Sequence, residues 1–460
     1  MLGTQRYELA ETSGNPALRR ELGLVQATSL AITDMIGIGP FITIPLFLTT
    51  MGGPQAMLGW IVGAALAFCD GLVWAELGAA MPKAGGSYNY LREAFGPATV
   101  GRWFSFLVVW QIMFSAPLSV ASGAIGFANY FHYLVPALSS WGIRIFASLI
   151  PLVTILLLYR RIRAVGNLSV VLLVGVLIGC FWIIGSGLPQ LSAQRIFDFP
   201  PDAFRLSWVF WAGLGHATLF ALYDYFGYYN VCYLGEEIRD PARVIPRAIL
   251  FSIVVVAALY LLMNASILSV VPWREAQQSK FIASTYIERL YGVGAGNLMT
   301  LLMLWIAFSS VFSVLLGYTR IPYAAAADGN FFRVFARLHP KGDFPHVSLV
   351  TLGLIAAAFS LLKLPEVIGS LVAIRVMNQY LPQAIGFFAL RFRRPDLPRP
   401  FRMWLYPLPG IAIILGWLYI LGTSKPRSLL LALAVFLVGT VAFFVRARLR
   451  GEWPFQEGRS

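Results

Sequence analysis

Charged side chains are scarce in this chain of 460 residues: only 12% are Asp, Glu, Lys or Arg, about half the share of a water-soluble domain. A surface that poor in charge cannot be kept hydrated over a body of this size. Cysteine is scarcer still. Cys69, Cys180 and Cys232 lie in or beside apolar stretches, with no CxxC or Cys/His spacing, which argues against a disulfide framework and against zinc. The four histidines also have no ligand spacing, and no nucleophile and base are paired near a span end, so an integral-membrane enzyme has nothing to work with. A channel would need a repeated filter or a ring of like charge. Neither is written here. The net charge of +14 is spread in short clusters with no basic stripe, which excludes nucleic acid as the natural partner. The polar N-terminal stretch, with Glu8, Glu11, Arg19 and Arg20, lacks the apolar core and cleavage site of a signal peptide, and is expected to stay cytoplasmic.

What the chain has instead is apolar surface: 58% hydrophobic residues and a mean hydropathy of +0.72. A globular core cannot hide that excess, so the solvent must be lipid. Crossing the hydrocarbon takes about 20 mainly apolar residues. Twelve such stretches can be marked, at 24–49, 54–80, 103–131, 141–159, 164–187, 206–234, 247–271, 297–325, 346–362, 365–390, 404–422 and 427–446. With both termini inside, 25 of the 35 lysines and arginines fall on the cytoplasmic side and nine outside, as the positive-inside rule requires. Lys83, Arg92, Arg160, Arg161, Arg163 and Arg239 are among the inner ones, while Arg144, Lys280 and Lys363 are outer. Arg375 is left over, inside the tenth span. A tail of residues 1–23, membrane segments and a tail of 447–460 therefore make up the chain, in the plasma membrane (the inner membrane of a bacterium), with no inserted soluble domain.

Two spans are written to break. The first carries Gly37, Gly39 and Pro40 near its middle, where Gly costs about 1 kcal/mol and Pro about 3 kcal/mol in a helix. Freed backbone groups cannot turn to lipid, so such a break is expected to line a cavity, and Pro40 suits the first turn of a new half-helix. The sixth span places Phe220, Ala221, Tyr223, Asp224 and Gly227 at mid-depth, and a carboxylate there normally faces a polar pathway. Each break sits in the first helix of a five-span half. That is the pattern of the leucine-transporter fold: 24–187 and 206–390 as inverted repeats, 404–446 as two extra helices, and discontinuous helices meeting at the midplane. The N–H groups opening the second half of span one can bind a carboxylate, and carbonyls at the breaks can take an ammonium. An α-amino acid carries both groups.

Four stretches resemble the amino acid/polyamine/organocation (APC) transporter family along nearly the whole chain. Met35-Ile-Gly-Ile-Gly-Pro-Phe is similar to its glycine-rich first helix. Trp74-Ala-Glu-Leu-Gly with Pro82-Lys-Ala-Gly-Gly-Ser-Tyr resembles the second helix and first inner loop. Leu234-Gly-Glu-Glu-Ile-Arg-Asp-Pro and Arg391-Phe-Arg-Arg-Pro-Asp look like the ends of helices six and ten. The resemblance implies an all-α membrane protein, an amino acid permease working as a secondary transporter by alternating access. It implies that the backbone of Ile36, Gly37, Ile38 and Gly39 binds substrate. Phe220, Ala221, Tyr223 and Asp224 then form the unwound part of helix six, with Phe220 and Tyr223 competing as the outer gate.

Coupling stays open between proton and sodium. The lysine that proton-coupled relatives carry on helix five has no counterpart in 166–187, which holds no Lys, Asp, Glu or His. Ser309, Ser310 and Ser313, with carbonyls near Asp34 and Met35, are the candidate sodium ligands; Asp34, Asp70, Glu76, Asp224 and His216 are the candidate proton carriers. Arg375 lies too deep to snorkel, and needs either a carboxylate partner, Asp224 first, or the carboxylate of a substrate. Trp110 and Gln111 are expected to line the cavity, while Gly59 and Gly63 argue for helix packing. No organic cofactor is implied. Polyamines or other organic amines are the alternative substrate, and the protein is read as a monomer or homodimer.

Overall fold

The computed structural model describes residues 20–159, 162–279, 281–340, 342, 344–362 and 367–455, without the side chains of 162–167, 169 and 367. Glu8, Glu11 and Arg19, and the side chains of Arg160, Arg161, Arg163, Lys280 and Lys363, therefore lie outside the described residues, as do the far ends of both tails. Regular structure among the described residues is helical, apart from an isolated bridge between Leu22 and Ile238.

Among the described residues, seven helices are long and apolar enough to cross a membrane. A pair bent by 41°, α1 (Leu24–Met35) and α2 (Gly39–Met51), makes an eighth. Two shorter apolar helices, His346–Phe359 and Leu408–Thr423, stand beside them. Of the twelve stretches in the sequence, those at 24–49, 206–234 and 365–390 are interrupted, while the two shorter helices hold only 14 and 16 residues. The 206–234 stretch is split into α8 (Trp208–Tyr225) and the short α9 (Asn230–Tyr233). The 365–390 stretch runs as α15 (Val367–Arg375), a π-helical turn at Val376–Tyr380, and α16 (Leu381–Arg393). A π turn inside an α-helix frequently marks a functional position.

The uninterrupted helices form the frame. They are α3 (Met57–Ala80), α5 (Val100–Leu134), α6 (Ser140–Leu158), α7 (Ile162–Gly187), α10 (Pro241–Val270), α12 (Val293–Tyr318) and α18 (Pro426–Arg450). The amphipathic α4 (Ser87–Phe95) lies in the connection between α3 and α5. Small residues set how closely the frame grips the broken helices. A Cβ on Gly59 would stand 2.6 Å from that of Ala217, and one on Gly63 equally close to that of Ala221, so α3 packs directly on α8, as that glycine pair predicts. Outward faces stay apolar: Leu430, Leu437, Val441 and Val445 of α18 and Phe251 and Val254 of α10 are exposed, as lipid-facing positions require.

At one end of the bundle the two broken spans are joined by backbone. The amides of Glu21 and Leu22 donate to the Glu237 carbonyl at 3.0 and 2.9 Å, and the Arg239 amide to that of Leu22 at 2.8 Å. The same end carries buried ion pairs. Arg320 grips Glu237 with two bonds of 2.7 and 3.1 Å, and Arg391 and Arg399 converge on Glu76.

Candidate functional site

The first break is short. Ile36 caps α1 by donating to the Ile32 carbonyl, and the chain turns through Gly37 and Ile38 before α2 begins at Gly39 with Pro40 in its first turn. Phe220, Ala221, Tyr223 and Asp224, expected as the unwound part of helix six, are still helical in α8; the second break starts later, at Phe226, and passes through Gly227, whose φ of +130° favours glycine and takes the backbone out of the helix. The two breaks fit into one another reciprocally. A Cβ on Gly227 would lie within 2.9 Å of the Asp34 backbone and side chain, and a Cβ on Gly39 would strike the Asp224 carboxylate. Each break thus packs its glycine against the aspartate flanking the other.

A hydroxyl from the frame ties the pair together. Tyr260 of α10 donates to the Met35 carbonyl at 2.7 Å and lies 3.1 Å from the Asp224 carbonyl. These are the carbonyls left without helical partners where α1 and α8 end. Its ring is held by Trp60 and Tyr225 at centroid distances of 4.9 and 5.4 Å.

Around the breaks lies a cavity of about 60 Å³, room for a few waters or one small solute. Asp34, Met35, Gly37, Ile38, Gly39, Tyr223, Asp224, Ser310 and Arg375, all singled out in the sequence, line it. Asp224 is 2% exposed; Thr43 donates to its Oδ2, and Oδ1 has no partner. Arg375, 3% exposed, donates to the hydroxyls of Ser119 and Tyr229 and to the Ser115 carbonyl, and stacks over the rings of Tyr318 and Phe226. Among the described residues no carboxylate comes within ion-pair distance of it. The expected pairing with Asp224 is not formed, because Thr43 holds one group and the Ser119–Tyr229 side holds the other.

Other candidates lie elsewhere. Ile36 is buried beside the break, and Ala221 packs on Gly63. Phe220 and His216 line a separate cavity near Ser424 and Arg427, and His216 Nδ1 shares a bond with its own helix at the Ala212 carbonyl. Trp110 stacks with Phe106 and faces Gly439 of α18. Gln111 sits in a seam that leads away from the cavity: Ser115 donates to Gln111, Gln111 to Gln379, Gln379 to Ser87 and Tyr233, and Ser87 to Gln383.

The candidate sodium ligands are hydrogen-bonded within the protein. Ser309 donates to the Trp305 carbonyl and Ser310 to that of Ala307, each on its own helix. Ser313 shares a bond of 2.6 Å with Thr33, and the Met35 carbonyl accepts from Tyr260. A hydroxyl that donates its proton keeps its lone pairs, so these bonds neither build nor block a cation site. No group of three or more His, Cys, Asp or Glu side chains suited to a metal occurs among the described residues.

Beyond Tyr223 a second cavity of about 480 Å³ opens toward Ser140, Arg144 and Ser360. Ile38, Gly39, Ser122 and Tyr223 line both cavities, and the Tyr223 hydroxyl bonds that of Ser122 at 2.8 Å. This bridge is a partition between the two spaces. On the opposite side Tyr229 stacks on Trp74 at 4.9 Å, with Tyr233, Tyr318 and Tyr380 filling the space around it.

Thr43, Ser119, Ser122, Tyr229, Tyr260 and Tyr318 complete the site and were not singled out in the sequence. Tyr229 lies in the second break, and the others are ordinary polar residues within apolar helices. Only the span spacing that stacks Ser115, Ser119 and Ser122 on one face of α5 hints at them.

The family model described as amino acid permease matches residues 22–450. The mouse large neutral amino acids transporter small subunit 2 is 28% identical over 95% of this chain and 83% of its own length. The branched-chain amino acid permease BcaP of Bacillus subtilis is 26% identical over 96% of each. The serine/threonine exchanger SteT of the same bacterium is 27% identical over 88% of this chain and 91% of its own. With its broken helices joined around one buried cavity, the chain belongs to the amino acid permease family of the APC superfamily: it is a multi-pass membrane transporter of amino acids and not an enzyme.

Proposed function

We propose that this permease carries a zwitterionic amino acid by alternating access, using twelve spans arranged as a five-plus-five inverted repeat with two peripheral helices. Residues 24–187 and 206–390 form the repeats and 404–446 the peripheral pair. Both termini face the cytoplasm, in the plasma membrane. The observation that carries this reading is the reciprocal packing of Gly39 on Asp224 and of Gly227 on Asp34. Two segments related by an inverted repeat would meet in such a two-way contact.

In this reading the substrate ammonium docks on the free Oδ1 of Asp224, where a charge-assisted bond forms away from water. The carboxylate meets the amides that open α2, at the positive end of that half-helix. Tyr223, rather than Phe220, is the gate on the Arg144 side, since it alone of the two lines the central cavity. The aromatic stack around Tyr229, with the Arg320–Glu237 pair behind it, closes the cytoplasmic side. Counterflow in proteoliposomes tests the reading. Preloaded unlabelled amino acid should accelerate entry of its labelled form, saturably, and Asp224→Asn should abolish that acceleration. Entry that neither saturates nor responds to preloading would overturn it.

A further inference from the structure

Arg375 presents a problem that the ammonium site leaves unsolved. Its guanidinium lies in the central cavity, held only by hydroxyls, a carbonyl and ring faces, and its Nε has no partner. Those contacts fix its position without neutralising it. A permanent cation at this depth is costly unless an anion answers it. The two carboxylates of the cavity do not come within ion-pair distance among the described residues, and one of them, Asp224, is turned toward Thr43 and Gly39. The cavity is bipolar, with carboxylates where the breaks interlock and a guanidinium against Ser119 and Tyr318.

We infer that Arg375 reads the substrate's carboxylate and thereby rejects amines that lack one. A carboxylate has lone pairs enough to accept from the α2 amides and from a guanidinium together. A bare amine or polyamine would satisfy Asp224 but place a second cation in the cavity that holds Arg375, and bring no anion to answer it. This is discrimination by repulsion as well as by attraction. It rests on the ammonium docking at Asp224, and it counts against polyamines as the cargo.

The test uses purified full-length protein in proteoliposomes and chemical triplets: leucine, isoamylamine and 4-methylvalerate; serine, ethanolamine and 3-hydroxypropionate; arginine, agmatine and 5-guanidinovalerate. Competition against labelled uptake is read for each, alongside the thermal shift of the protein. In the triplet that contains a substrate, the decarboxylated amine should compete at least about ten-fold more weakly than the amino acid. Arg375→Gln should shrink that ratio to within about three-fold, while Arg375→Lys, which keeps the charge, restores most of it. An amine that competes as well as its amino acid in the wild type overturns the role of Arg375, whatever the variants do. A ratio unchanged in a folded Arg375→Gln protein overturns it too. If the deaminated acid competes as well as the amino acid, the ammonium site at Asp224 fails and carboxylate recognition stands.

Discussion

Two regions of this molecule bury charge in opposite ways. At the end near Leu22, Glu237 is wholly buried and Arg320 nearly so, yet the two meet in a bidentate bridge, and Arg320 also donates to Thr319 and the Leu316 carbonyl. Glu76 there is met by Arg391, Arg399 and the Met403 amide. In the central cavity, Asp224 and Arg375 are as deeply buried but hydrogen-bonded only to neutral groups. A charge whose partner is built in serves closure of the structure. A charge without one is held ready for something that arrives.

The contrast can be broken most sharply at Glu237. Glu237→Gln leaves Arg320 buried and unanswered, which should cost about 3–5 kcal/mol, read as a large fall in melting temperature whether or not substrate is present. Combining it with Arg320→Met should recover much of that loss; if the losses simply add, the pair is not a unit. Asp224→Asn is expected to do the reverse. The free protein should melt nearly as before, while substrate affinity falls by about 1.5–3 kcal/mol, the worth of a bond to a charged group.

Gly227→Ala comes next. A side chain at φ +130° that also strikes Asp34 should cost about 1–3 kcal/mol and slow uptake more than it lowers the melting temperature. Tyr260→Phe is the mildest. It removes one hydroxyl from two carbonyls and should cost about 1 kcal/mol, seen as faster amide hydrogen exchange at the end of α1. An exchange rate equal to wild type there would mean the tyrosine does not hold the breaks.

The frame of the protein was legible because lipid imposes length and composition together. The 54–80 stretch in the sequence coincides with the helix at Pro54–Ala80, and the 141–159 stretch differs from Ser140–Leu158 by one residue at each end. Gly37, Gly39 and Pro40 announced their break by standing together, whereas single prolines such as Pro117 and Pro151 are carried inside unbroken helices. Helix faces were harder to read. Trp110 and Gln111 are neighbours on one helix, yet one turns to α18 and the other into the bundle. Phe220 and Tyr223 are three residues apart and line different cavities. Facing depends on the neighbours chosen by packing, such as Gly63 against Ala221, and no periodicity reports it in a helix apolar on every side. The π turn after Arg375 has its signature just beyond it: Pro382 has no amide to give the Asn378 carbonyl four residues back, so the regular helical bond cannot form there.

The seam from Ser115 through Gln111 and Gln379 to Ser87 and Gln383 has a consequence for the membrane potential. Its members are amides and hydroxyls, each able to turn over and exchange donor for acceptor without carrying net charge. A carrier that parted its helices along a row of ion pairs would drag charge through the field, at about 2.3 kcal/mol per elementary charge for each 100 mV. The seam itself carries none, and the charge beside it is Arg375, which donates to the Ser115 carbonyl. The resting voltage would then act on the cargo and on Arg375, and not on the seam's own side chains.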